Sequence, residues 1–344
     1  MFWDIVLAVL FLIVGFVMLI KGADWFVDGA SGFAEKLRIP QLVIGLTIVA
    51  FGTSAPELAT SVISSVKGDV GIAIGNVFGS NICNVLLILG LSALMSPLAV
   101  QKESLKVDLP VLLVSSVLIV VFGYFDGVIN RFEGAIMVAT LIAYTTFLVV
   151  NALKKRENEP TVSALNNHDV VSQAQEETKG FNAWYEKMKA FTWFLVVATV
   201  VGLGVVIGGA MLAVEGAKTI ASELGVPQNV IGLTVVAIGT SLPELITSVV
   251  AAKKGETDIA VGNIVGSNVF NILFVAGLSS VITPLPFAPG GNSFIIDGLI
   301  ALGAVVLLAI FAYMRGHKLK KWQGAVLVAG AVAYYTYTVL SVVI

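Results

Sequence analysis

One cysteine and two histidines stand among 344 residues. A lone thiol excludes a disulfide framework and a thiolate metal cluster. Neither HExxH nor GxSxG occurs, so the motifs that an intramembrane hydrolase would need are missing. Charge is equally scarce: 12% of residues carry it, where a soluble domain has about a quarter. A net charge of −2 offers no basic surface for nucleic acid. That balance also rules out a soluble enzyme and a disordered scaffold. No basic n-region precedes the first apolar run, Phe2–Ile20, and no small-residue cleavage site follows it. It reads as a retained helix, not a signal peptide. What fills the chain instead is 57% apolar residues and 34 glycines, with a mean hydropathy of +0.96. These are the marks of a polytopic membrane protein whose partner is the lipid bilayer.

A span needs roughly 20 apolar residues. Ten stretches meet that length, around 3–34, 41–66, 71–95, 107–125, 132–153, 191–219, 228–252, 258–282, 294–314 and 322–343. The long polar stretch, Lys154 to Lys189, includes His168 and reads as a solvent-exposed linker, not a regulatory domain. The predicted organisation is a first five-helix repeat over 1–153, a linker over 154–190 and a second repeat over 191–344. Sixteen of the 20 basic residues follow odd-numbered spans; Lys67, Arg131 and Lys218 follow even-numbered ones, and Lys21 sits inside the first helix. The positive-inside rule therefore places the linker in the cytoplasm and both termini outside the cell membrane.

The chain is written twice. A shift of 187 residues lays IGLTIVAFGTSAPEL, starting at Ile44, on IGLTVVAIGTSLPEL, starting at Ile231. It also lays GNVFGSN, starting at Gly75, on GNIVGSN, starting at Gly262, and Asn84 on Asn271. The duplicated motifs thus cover 44–84 and 231–271. Five spans per half is an odd number, so the second copy enters the membrane inverted. Inverted repeats place a substrate site near the midplane, where the halves meet. The expected class is an all-α membrane carrier of ten transmembrane helices in two inverted five-helix repeats.

Glu57 and Glu244 are the ionisable groups deep in spans, where a charge is rarely kept without a function. Gly52 with Pro56, and Gly239 with Pro243, should break each helix just before its glutamate and free the carbonyls of Ala50 and Ala237. Thr53 lies four residues before Glu57, and Ser80 four before Asn84, so each pair shares a helical face; Thr240, Ser267 and Asn271 repeat the arrangement. Carboxylates, amides, hydroxyls and carbonyls without sulfur or imidazole suit Ca²⁺ or Na⁺ over Zn²⁺ or Cu²⁺. Asn76 and Asn263 either join this set or brace the broken helices. Gly71, Gly75 and Gly79 read as a packing stripe. Ser61, Ser65, Thr247 and Ser248 read as interhelical or back-bonded hydroxyls, and Cys83 as a small buried hydrophobe. Asp24, Asp28 and Glu215 sit towards helix ends, solvated or paired.

With GTSAPE at Gly52–Glu57, GTSLPE at Gly239–Glu244 and a GNxxGSN block after each, the sequence resembles the cation/Ca²⁺ exchanger superfamily, in particular the prokaryotic sodium/calcium exchangers. The GTSxPE form is similar to the sodium-coupled branches; the asparagine-centred loop of proton-coupled calcium exchangers is absent. The resemblance implies an antiporter, not an enzyme, that needs no cofactor. It would exchange three Na⁺ for one Ca²⁺ through four sites, by alternating access. By that likeness Glu57 and Glu244 are the central calcium ligands, joined by Thr53 and Thr240. Ser54, Ser80, Ser241 and Ser267 would complete the sodium sites with the carbonyls of Ala50 and Ala237. The first and sixth spans would slide across the core. Asn271 stands where an archaeal relative and the potassium-dependent relatives carry an acid, which speaks against K⁺ dependence. The rival readings are a proton-coupled cation antiporter, an exchanger of another divalent cation, and a passive channel.

Overall fold

The computed structural model describes residues 2–125, 127–158, 188–225, 237–288 and 294–343. Most of the polar linker, and 231–236 of the second motif, lie outside the described residues. Twelve helical segments follow in order. They are α1 (Phe2–Leu37), α2 (Gln41–Thr53), α3 (Ala55–Lys67), α4 (Val70–Met95), α5 (Ser104–Phe125) and α6 (Arg131–Asn158), then α7 (Thr192–Glu223), α8 (Ala237–Thr240), α9 (Leu242–Lys254), α10 (Thr257–Ile282), α11 (Ile295–Tyr313) and α12 (Lys321–Val343). Among the described residues, eight helices are long and apolar enough to cross a membrane, and a ninth if the bent pair α2–α3 counts as one span.

Burial sorts these helices into layers. In the most apolar stretch of α10, 94% of residues are buried, and in that of α4, 78%; for the other spans the share is 22–39%. The two helices carrying the GNxxGSN blocks are therefore the most enclosed of these eight spans, and α1, α5, α6, α7, α11 and α12 lie towards the outside. Large apolar side chains such as Trp3, Val114, Ile142 and Val200 point outward, as they must where the solvent is hydrocarbon. The first and seventh helices pack on each other along most of their length. Glycines at a seven-residue interval make that contact: Gly15, Gly22 and Gly29 on α1, and Gly202, Gly209 and Gly216 on α7. A Cβ at Gly202 would stand 2.5 Å from the backbone nitrogen of Phe26, and one at Gly216 2.5 Å from the Ala8 carbonyl oxygen. Backbones this close gain van der Waals contact that larger side chains would prevent. The stripe expected at Gly71, Gly75 and Gly79 does not pack this way: a Cβ at Gly79 meets nothing within 4 Å, and one at Gly75 meets only the Phe294 ring.

Short two-residue ribbons tie the connections together. Strand β1 (Leu98–Ala99) pairs antiparallel with β4 (Lys318–Leu319), and β2 (Val128–Ile129) with β3 (Leu285–Pro286). Two tyrosine–carboxylate bonds, one buried and one half-buried, fasten neighbouring spans: the Tyr144 hydroxyl donates to Asp108 at 2.8 Å, and Tyr334 to Asp297 at 2.9 Å.

Candidate functional site

The chain bends by 47° between α2 and α3, and the turn residue is Ser54. Pro56 follows in the first turn of α3, where its missing N–H costs nothing. The break thus falls three residues before Glu57, which becomes a first-turn residue of a new helix. The second motif repeats this: Ser241 is the turn residue between α8 and α9, Pro243 follows, and Glu244 lies in the first turn. A carboxylate at a helix N-terminus is stabilised by the unpaired N–H groups there.

The two glutamates are 1% and 0% exposed. Each is held by the serine of the other break. The Ser54 hydroxyl donates to Glu244 Oε1 at 2.9 Å, and the Ser241 hydroxyl to Glu57 Oε1 at 3.1 Å. The remaining oxygens, Glu57 Oε2 and Glu244 Oε2, are buried without a hydrogen-bond partner among the described residues. Burying such an atom unpaired is costly, so both sit where a further group must satisfy them.

Other buried oxygens belong to the same two motifs. The Thr53 hydroxyl lies 3.0 Å from the Val49 carbonyl and 3.0 Å from Asn263 Oδ1, with one proton for two acceptors. Ser267 Oγ reaches the Ala50 carbonyl at 3.5 Å, and Ser80 Oγ is buried and unpaired. Both Asn84 and Asn271 sit in π-helical turns, Cys83–Ile88 and Asn271–Ala276, a geometry common at functional sites. Asn84 Oδ1 and both amide atoms of Asn271 are buried without partners among the described residues. Among the described residues no three His, Cys, Asp or Glu side chains come together; the oxygens other than the two carboxylates are neutral.

Two expectations need correction. The break does not leave the Ala50 carbonyl free, because it accepts the Ser54 N–H at 3.1 Å in an ordinary helical bond; only its second lone pair remains for another partner. For Ala237 the structure gives the helical backbone alone. Among the described residues the hydroxyls of Ser65 and Thr247 find neither an interhelical nor a back-bonded partner, and both are buried. Asn76 and Asn263 do brace the broken helices. Asn76 Nδ2 donates to the Glu57 carbonyl at 3.0 Å and to Ser61 Oγ at 2.8 Å, and Asn263 Nδ2 to Ser248 Oγ at 2.9 Å. Asn81 and Asn268 went unweighed in the sequence, although both lie in the duplicated block. Each is buried, and Asn84 Nδ2 donates to Asn268 Oδ1 at 3.1 Å across the two halves. Their duplication at equal spacing was the available signal.

A family model described as sodium/calcium exchanger protein matches residues 7–150 and 194–342. The putative antiporter CaxA of Alkalimonas amylolytica is 36% identical, over 95% of this chain and 97% of its own. The sodium/calcium exchanger MaX1 of Methanosarcina acetivorans is 38% identical, over 94% and 96%. Among solved structures, the sodium-calcium exchanger NCX_Mj, soaked with Na⁺ and Sr²⁺, superposes with a TM-score of 0.78 at 32% identity, covering 98% of both chains.

Proposed function

The chain belongs to the sodium/calcium exchanger protein family, and from that premise we infer that it is a secondary active transporter exchanging Na⁺ for Ca²⁺ by alternating access. The observation that carries the reading is the pair Glu57–Glu244, each with one oxygen fixed by the opposite serine and one buried oxygen unpaired. Two carboxylates offset one divalent ion, and hard cations take oxygen ligands. The ligand set is Glu57, Glu244, Thr53, Thr240, Ser54, Ser241, Ser80, Ser267, Asn84 and Asn271, with the carbonyls of Ala50 and Ala237. Ca²⁺ takes the two carboxylates; Na⁺ ions share them and occupy the surrounding hydroxyls, amides and carbonyls. Competition for the same oxygens couples the two fluxes.

The architecture that fits is ten spans in two inverted repeats, 1–153 and 191–344, joined by a cytoplasmic linker over 154–190, with both termini outside. The ribbons support this count. Strand β1 follows the third predicted span and β4 the ninth, while β2 follows the fourth and β3 the eighth. Partners on one face must be separated by an even number of spans, and both pairs are.

Calcium uptake into sodium-loaded proteoliposomes tests the function. Uptake driven by the sodium gradient, and surviving a proton uncoupler, is the expected result. Uptake abolished by the uncoupler would establish proton coupling instead. Flux independent of any counter-gradient would make the protein a channel.

A further inference from the structure

The two halves carry charged residues at the ends of equivalent helices, yet only one set is joined. In α1, Asp24 and Asp28 face Lys254, whose Nζ lies 3.3 Å and 2.7 Å from their carboxylates. Lys189 adds a contact to Asp28 at 3.1 Å. Three residues along α1, the Ser31 hydroxyl donates to Glu256 at 2.7 Å and accepts from Gln41 at 3.0 Å. Lys254 and Glu256 flank Gly255, whose φ of 83° closes α9 in a left-handed turn. This network clamps α1 to the turn between α9 and α10.

The 187-residue shift maps Asp28 onto Glu215 and Ser31 onto Lys218 of α7, Asp24 onto the uncharged Met211, and Lys254 and Glu256 onto Lys67 and Asp69 around Gly68, which has a φ of 84°. The charges are again complementary: Glu215 matches Lys67, and Lys218 matches Asp69. Neither pair is formed, and Glu215, Lys67 and Asp69 stand exposed. The packing is unequal in the same sense, since α9 lies along α1 whereas α3 barely touches α7. The antiparallel contact of α1 with α7 sets Gly29 against Thr199 and Gly216 against Ala8. The joined and the parted sets therefore lie at opposite ends of this helix pair, roughly 30 Å apart at 1.5 Å per residue. The core carries the same asymmetry. Asn84 Nδ2 is bonded to Asn268 Oδ1, while the equivalent atoms, Asn271 Nδ2 and Asn81 Oδ1, are buried and unpaired.

We propose that Lys67 with Glu215, and Asp69 with Lys218, form a latch that closes their face of the protein when the Lys254–Asp24/Asp28 clamp on the other face releases. Inverted halves exchange conformations during alternating access, so a contact made by one half in one state is made by the other half in the opposite state. The inference rests on the alternating-access reading above. Each latch is partly exposed, so it biases an equilibrium without locking it. A carrier needs that, because both states must be reached in every cycle.

Hydrogen–deuterium exchange on the full chain in lipid nanodiscs, without added Ca²⁺, is the test. Lys254→Gln should raise exchange at amides 250–258 and 24–35. At the same time it should lower exchange at 64–71 and 212–219, with the open-to-closed ratio shifting roughly two- to fivefold. The double variant Glu215→Gln with Lys218→Gln should leave the first region at least as protected as in wild type. Lys254→Arg, which keeps the charge facing Asp24 and Asp28, should leave the wild-type pattern on both faces. Loosening confined to the mutated end, with no added protection at the far end, would overturn the latch. Exchange is read without transport, so the two readings fail separately. A reciprocal shift in a protein that moves no calcium would uphold the latch and remove the exchanger, and the reverse result would do the opposite.

Discussion

At Glu57 and Glu244 a single oxygen of each side chain is spoken for, and the unpaired partner oxygens are the chemistry that remains. Glu57→Gln or Glu244→Gln keeps the size of the side chain and removes one of two negative charges. Each should abolish calcium transport while leaving a folded protein; substantial Ca²⁺ exchange by either variant would show that the carboxylates do not bind the cation. Protons compete for the same oxygens, so lowering the pH should slow uptake at a fixed, saturating sodium gradient. A rate that stays flat from mildly acidic to mildly alkaline pH would count against that competition. Most of this site was legible in the sequence, because duplication marked GTSxPE and GNxxGSN twice over. What was not legible is who holds whom. Spacing puts Thr53 and Glu57 on one face, but only tertiary packing sets Ser54 against Glu244 and Asn84 against Asn268.

Among the elements, α1 and α7 depend most on the absence of side chains. A Cβ added at Gly22 would meet the Val206 nitrogen at 2.8 Å, and one at Gly209 the Gly15 carbonyl at 2.8 Å. Backbone cannot rotate away, so Gly22→Leu or Gly209→Leu must separate the helices, at a cost on the order of 1–3 kcal/mol each. Thermal unfolding in detergent should show a clear fall in midpoint for both. Gly204→Ala is the control, since a Cβ there meets nothing within 4 Å. The sequence reading chose Gly71, Gly75 and Gly79 as the packing stripe because four-residue spacing is the familiar membrane pattern. The seven-residue spacing actually used needs a partner helix, 187 residues away, to be recognised.

For the molecule as a whole, the charge carried across the membrane follows from the ligand count. Take one Ca²⁺ or three Na⁺ per turn, and only the two glutamates as ionised ligands. The calcium-loaded carrier is then neutral at its centre and the sodium-loaded one carries a single positive charge. One elementary charge is worth roughly 2.3 kcal/mol per 100 mV, so the sodium half-cycle alone should respond to voltage. Asn271, with both amide atoms buried and unpaired, is positioned to change this. An ionised Asn271→Asp variant lowers both totals by one and moves the voltage dependence to the calcium half-cycle. Charge movements recorded with Ca²⁺ alone and Na⁺ alone, in both proteins, decide the matter. Wild-type charge movement mainly with calcium would refute the stoichiometry or the count of ionised ligands.

The ribbons have a consequence for how the polypeptide is held together. Strand β1 comes from the first half and β4 from the second, and β2 and β3 are shared out in the same way. The backbone-to-backbone seam of α1 with α7 likewise joins one half to the other. The halves are thus joined to each other along two ribbons and one helix seam. Contacts of this kind should hold the halves together without the peptide link between them. Fragments 1–158 and 188–344, expressed together as separate polypeptides, should copurify through a tag on either one and take up calcium. Neither fragment alone should yield a stable membrane protein.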